Sequence, residues 1–133
     1  AGGLDVRPFV LVFADSKGEP FKSDRRYRIR FAADNMPPAN AFWSVTLYGL
    51  PENQLRENPI NRSAFGDRTP TLQRAADGSL TIYVQKDKPE GDAAGNWLPN
   101  GEGPFWLILR MYVPAEKALK GDFVPPPVER IGD

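Results

Sequence analysis

The chain has 133 residues, of which 17 are Lys or Arg and 17 are Asp or Glu. A balance of zero argues against a general binder of nucleic acid or of anionic membranes. With no Cys and no His, the chain has no disulfide, no thiolate metal site, no cysteine nucleophile and no Ser-His-Asp triad. The hydrophobic share is 41%, inside the globular range. A single domain spanning 1–133 is expected. There are 14 prolines, about twice average usage, which disfavours long helices and suits short strands with firm turns.

In chain order, Phe9 to Ala14 is a continuous apolar run that reads as a buried strand. Asp15-Ser16-Lys17-Gly18 supplies a turn. Arg26 to Ala32 alternates, with Tyr27, Ile29 and Phe31 on one face and three arginines on the other. A slip of one residue buries all three guanidiniums, so the register is well specified. Ala41 to Gly49 reads as a central strand between Pro37-Pro38 and Pro51. Trp43, Val45 and Leu47 take one side of it; Phe42, Ser44, Thr46 and Tyr48 take the other.

Pro51 to Pro70 shows no sustained period and reads as loop with one short helical turn at most. Thr71 to Ala75 and Ser79 to Gln85 flank Ala76-Asp77-Gly78, a hairpin signal. Lys86 to Pro104 is a long polar loop whose apolar content is Trp97-Leu98. Loops of that length in a compact domain are usually functional or mobile. Phe105 to Val113 is apolar on nearly both faces and is expected to be covered on both. Pro114 to Lys120 suits a short helix, Pro125-Pro126-Pro127 cannot pair inside a sheet, and Val128 to Ile131 suits an edge strand. The pattern predicts an all-β fold: an antiparallel β-sandwich of jelly-roll type with one short helix near the C-terminus. No apolar run approaches the ~18 residues of a transmembrane helix.

Residues able to carry chemistry gather in two polar loops. Asn58, Asn61, Arg62, Asp67 and Arg68 put amides, a carboxylate and two guanidiniums within eleven positions. Either arginine suits a carboxylate or phosphate; the bland alternative is that these side chains tie down loop backbone. Asn96 and Trp97 place an aromatic ring in a polar loop, either to stack on a ligand or to plug an open end of the sandwich. Arg110 lies mid-strand and calls for an acidic partner, with Asp67 and Asp77 as the candidates, or serves as a ligand clamp. The arginines at 26, 28 and 30 read as a solvated sheet face. No pair of carboxylates faces across predicted strands, and no phosphate loop, EF-hand or zinc motif is present.

The same residues carry a family likeness. Ala41 to Tyr48, Asn58-Pro59-Ile60-Asn61-Arg62, Gly66-Asp67-Arg68, Asp77 to Tyr83, Asn96-Trp97-Leu98-Pro99, Phe105, and Leu109 to Tyr112 with Pro114 resemble domain of unknown function family 1214, over about residues 13–131. The resemblance implies a jelly-roll β-sandwich in an exported, periplasmic or envelope-associated bacterial protein. It also implies, in many members, an upstream domain of family 1254; others have a membrane anchor instead. This chain has neither, so its start looks trimmed. The family's recurrent positions here are Asn58, Asn61, Arg62, Asp67, Arg68, Asn96, Trp97 and Arg110. The likeness assigns them no catalytic role, no metal and no cofactor.

The combined expectation is a non-catalytic binding or assembly module of the cell envelope. Its partner is a small molecule, a glycan or an envelope protein, met at the loop end. Two alternatives remain: a hydrolase-type enzyme using Asp67 with arginine support, and a purely structural domain of a larger exported protein.

Overall fold

A computed structural model describes residues 9–50, 54–55, 60, 62–116, 120 and 123–132. Eight strands follow in order: β1 (Phe9–Val12), β2 (Arg26–Phe31), β3 (Ala39–Gly49), β4 (Ala64–Gly66), β5 (Leu80–Gln85), β6 (Trp97–Pro99), β7 (Phe105–Pro114) and β8 (Val128–Gly132). They form two four-stranded sheets, ordered β1-β7-β3-β4 and β6-β5-β2-β8. All pairs are antiparallel except β5–β6, which is parallel and departs from the antiparallel expectation.

Alternation sets the core. Tyr27, Ile29 and Phe31 of β2 and Leu80, Ile82 and Val84 of β5 turn inward from one sheet. Trp43, Val45 and Leu47 of β3 and Leu107, Leu109 and Met111 of β7 turn inward from the other, and all twelve join one buried cluster. At one end Phe21 stacks on Phe105 with centroids 5.1 Å apart. Tyr27 meets both edge-on at 5.1 and 5.9 Å. Its hydroxyl accepts a hydrogen bond from the Lys22 N–H at 3.0 Å, which satisfies the one polar atom of a fully buried ring.

The opposite face of the β2 sheet is solvated, as the sequence predicts. Arg26, Arg28 and Arg30 pair with Asp87, Glu129 and Asp77 at 3.9, 3.4 and 3.2 Å. Each pair is exposed and contributes little to stability. Asp77 has a second task. Its Oδ1 accepts from the Ser79 N–H at 2.9 Å and the Ser79 hydroxyl at 2.6 Å, closing the turn into β5.

Several expectations need correction. The segment 71–75 is not a strand; the turn it enters is real, since the Ala75 N–H donates to the Ser79 carbonyl at 2.9 Å, but β5 pairs with β2 and β6 instead. β1 is not buried: it is an edge strand with Phe9 and Leu11 on its outer side. The loops hold two strands that were not expected, β4 and β6, and a 3-10 helix at Gly91–Asn96. That turn precedes β6. Of the helix expected over 114–120, residues 117–119 lie outside the described residues, and the Lys120 N–H donates to the Glu116 carbonyl at 2.9 Å.

Two measurements test this framework. Phe105→Ala empties one side of the Phe21–Tyr27–Phe105 cluster and is expected to cost about 3–5 kcal/mol in urea unfolding at unchanged m-value. The Asp77 carboxyl is held below its usual pKa, first by the Ser79 hydroxyl and amide and then by Arg30. A depressed folded pKa adds stability above the ordinary carboxylate range, lost as pH falls through the folded value. Asp77→Asn is therefore expected to flatten the acid limb of the stability–pH curve and leave alkaline pH dependence unchanged.

Candidate functional site

The described sequence-predicted residues divide into two groups by what they touch, although Arg62 and Arg68 line one groove beside β4. Asn58 and Asn61 lie outside the described residues.

The first group is a lock on the long loop. Arg62 donates from Nη1 to the Trp97 carbonyl at 2.9 Å and from Nη2 to Thr71 Oγ1 at 2.8 Å. The Thr71 hydroxyl in turn donates to the Gly95 carbonyl at 2.6 Å. Partial burial lowers the Arg62 pKa from its usual value through desolvation. Asn96 is buried and pairs with the backbone of Gln73 in both senses: its Oδ1 accepts from the Gln73 N–H at 2.8 Å, and its Nδ2 donates to the Gln73 carbonyl at 2.7 Å. Trp97 is only 4% exposed, and its indole N–H donates to the Gln85 carbonyl at 2.8 Å. The ring plugs the sheet end and is not offered to a ligand. A segment with no period in its sequence is thus fixed by polar side chains that satisfy backbone groups.

The second group stands on the outer face of the β1-β7-β3-β4 sheet. Register places Phe42 opposite Tyr112, Ser44 opposite Arg110, Thr46 opposite Ile108 and Tyr48 opposite Trp106. β1 adds Phe9 opposite Arg110 and Leu11 opposite Ile108. The rings stack across the strands: Phe13 on Trp106 at 5.3 Å, Tyr48 on Trp106 at 5.0 Å, and Phe42 on Tyr112 at 4.3 Å. Because β7 runs between β1 and β3, Trp106 is covered on both of its faces. Arg68 lays its guanidinium 4.3 Å from the centre of the Phe42 ring. Arg110 does not meet Asp67 or Asp77. It donates to the Tyr48 hydroxyl at 3.2 Å and lies 5.8 Å from that ring's centre. Such contacts with a π-face favour a cation without neutralising it.

Asp67, the base a hydrolase needs, accepts from the Trp43 N–H through Oδ1 at 3.1 Å, tying the turn after β4 to β3. That turn approaches closely: a Cβ on Gly66 lands 2.0 Å from the Trp43 carbonyl oxygen, so only glycine fits. Beside it runs an open groove of about 590 Å³ lined by Phe42, Ser44, Ser63, Gly66, Arg68 and Thr69 among others. Among the described residues no group of three or more His, Cys, Asp or Glu is placed to hold a metal.

Sequence reasoning missed the aromatic face as a surface. The signal was present, since both sides of 105–113 are apolar and β3 carries Phe42 and Tyr48 on its second side. The pattern predicts cover by another layer; instead Trp106, Arg110 and Tyr112 are half-buried and β1 exposes Phe9 and Leu11.

The chain belongs to the family described as protein of unknown function DUF1214, whose model matches residues 9–116. It is similar to the VPA0106 protein of Vibrio parahaemolyticus, with TM-score 0.80 and 31% identity, over 92% of this chain and 30% of that one. A putative uncharacterized protein from Burkholderia cenocepacia shares the fold, with TM-score 0.54 and 18% identity, over 97% of this chain and 31% of that one. A stretch of 62 residues is 37% identical to the glycine–tRNA ligase beta subunit of Colwellia psychrerythraea, covering 46% of this chain and 9% of that protein. The chain thus spans under a third of each of these relatives.

Asn96→Ala leaves the Gln73 N–H and carbonyl without their partner and is expected to cost about 1–3 kcal/mol. Asn96→Asp keeps the accepting oxygen but sets a second oxygen against the Gln73 carbonyl, so it is expected to destabilise at neutral pH as well. Hydrogen exchange should show amides 95–98 losing protection in both variants before those of β2 or β7 do.

Proposed function

We propose that this chain is a non-catalytic binding or assembly module, and that its contact surface is the outer face of the β1-β7-β3-β4 sheet. One observation carries the reading. Phe9 and Leu11 on the edge strand and Phe13 just past its end are 48, 46 and 55% exposed, and they continue inward into Trp106, Tyr48 and Ile108. Contiguous apolar surface of this kind marks interaction sites on soluble proteins. The face is also rich in Trp, Tyr and Arg, the residue types that dominate binding hot spots. No acidic side chain lies among its strand positions. The rim site expected from sequence has less support, because Asn96 and Trp97 are occupied in holding their own loop.

The two sheets around one core support a sandwich of jelly-roll type, and the family likeness supports an exported, envelope-associated setting. Among the described residues no helix is long and apolar enough to cross a membrane. The hydrolase alternative has little support: Asp67 spends an oxygen on the Trp43 backbone and sits outside the groove lining.

The test is photo-crosslinking in the producing cell, with a benzophenone amino acid at Leu11 or, as control, at Arg28 on the opposite sheet. A discrete adduct from Leu11 and none from Arg28 is the expected result. Equal or absent adducts at both positions contradict the assignment. Leu11→Ser is expected to abolish the adduct formed by a probe at Phe9 while changing unfolding free energy by under about 1 kcal/mol, since the site is half exposed.

A further inference from the structure

We propose that a second copy of this chain pairs with β1, antiparallel and about a two-fold axis at Leu11, so that two four-stranded β1-β7-β3-β4 sheets join edge to edge. The inference rests on the contact surface proposed above and names its partner.

Backbone parity leaves this edge open. In β3 the Leu47 N–H donates to the Ser63 carbonyl at 3.0 Å and the Trp43 N–H to Asp67, so odd-numbered residues turn their backbone groups toward β4. Even-numbered residues then face β7, where Ser44 meets Arg110 and Thr46 meets Ile108. Leu107 and Leu109 of β7 are left to bond β1, through Val12 and Val10. Phe9 and Leu11 therefore turn N–H and carbonyl away from the sheet. Among the described residues no hydrogen bond meets them there. Such unpaired groups are a template for another strand.

The other three edges are guarded. At β4, Thr69 satisfies both edge groups of Gly66: its N–H donates to the Gly66 carbonyl at 3.1 Å, and its Oγ1 accepts from the Gly66 N–H at 2.9 Å. β6 has only three residues and ends in Pro99. β8 carries Glu129 and Arg130. Phe9 to Ala14 contains neither a charge nor a proline.

The side chains select the occupant. The open groups belong to odd-numbered residues, so an added copy sets odd opposite odd. With Leu11 opposite Leu11 of the second copy, Phe9 faces Phe13, and the exposed apolar row of each protomer covers that of the other. Aromatic cross-strand pairs of this kind stabilise a sheet. The cleft behind β1, among Val10, Val12, Pro125, Pro126 and Val128, holds about 20 Å³, room for a water and not for a small ligand. With 17 bases and 17 acids each, two copies carry no net repulsion. The two-fold axis consumes the β1 edge of both, so assembly closes at a dimer.

The experiment is sedimentation of the purified 133-residue chain up to about 1 mM, since a short edge makes a small and weak interface. A reversible monomer–dimer equilibrium is expected. Leu11→Lys sets like charges opposite each other and is expected to raise the dissociation constant about tenfold, with dimer restored by mixing in Leu11→Glu. Unfolding midpoints report that both variants fold. Disulfides read the register, because the chain has no cysteine of its own. Leu11→Cys is expected to bridge to itself under mild oxidation. Phe9→Cys is expected to bridge to Phe13→Cys in a mixture but not to itself, the two copies of position 9 lying about 13 Å apart. A strict monomer, a dimer indifferent to Leu11→Lys, or Phe9→Cys bridging to itself in preference to Leu11→Cys overturns the proposal. A strict monomer whose Leu11 probe still captures another protein in the cell overturns the second copy alone and leaves the contact surface in place.

Discussion

The β3–β7 pairing is the constraint from which the rest of the molecule follows. It runs from Ala39 opposite Pro114 to Gly49 opposite Phe105, with one irregularity between Ala39 and Phe42. Its parity decides which residues of both strands enter the core. Trp43, Val45 and Leu47 then meet Leu107, Leu109 and Met111 on the inner side. The same parity sends Phe42, Ser44 and Tyr48 outward with Trp106, Arg110 and Tyr112. One register thus builds both the buried core and the aromatic outer face, and a shift of one residue exchanges them.

The second constraint is polar. The segment from Lys86 to Pro104 has little apolar content, yet it contributes a strand and a 3-10 turn to the body. It is held by Arg62, Asn96 and the Trp97 indole, each satisfying backbone groups that a loop otherwise leaves to water. These residues looked like a ligand site because binding sites and loop locks use the same side chains. What separates the uses is where each polar atom's partner lies: in the lock it lies in the chain's own backbone. Arg68 and Arg110 instead meet rings and a hydroxyl, with no carboxylate partner among the described residues.

The long strands were legible because their alternation is strong: β2 interleaves arginines with Tyr27, Ile29 and Phe31, and β5 places Leu80, Ile82 and Val84 inward. β4 and β6 were not, since three residues cannot show a period and both depend on partners distant in sequence. The turn at 76–78 predicts a strand over 71–75, but the places beside β5 belong to β2 and β6. The site was legible in part. Arg62, Asn96 and Trp97 do come together, and Arg68 shares a groove with Arg62, whereas Asp67 ties to the Trp43 backbone and Arg110 to Tyr48. Charge alone predicts an acidic partner for Arg110, whereas the Tyr48 hydroxyl, four residues along β3 from Ser44, is the polar atom within reach. Face assignment across two strands needs their register, which no single strand contains.

The register itself is open to direct measurement, because the chain contains no cysteine to compete. Thr46 and Ile108 lie directly opposite on the outer face, while Leu107 points to the core. A double variant with cysteines replacing Thr46 and Ile108 is required to form an intramolecular disulfide readily under mild oxidation, and one replacing Thr46 and Leu107 to form none. Bridging of the second pair in preference to the first contradicts the pairing, and with it the aromatic face and the groove built on it.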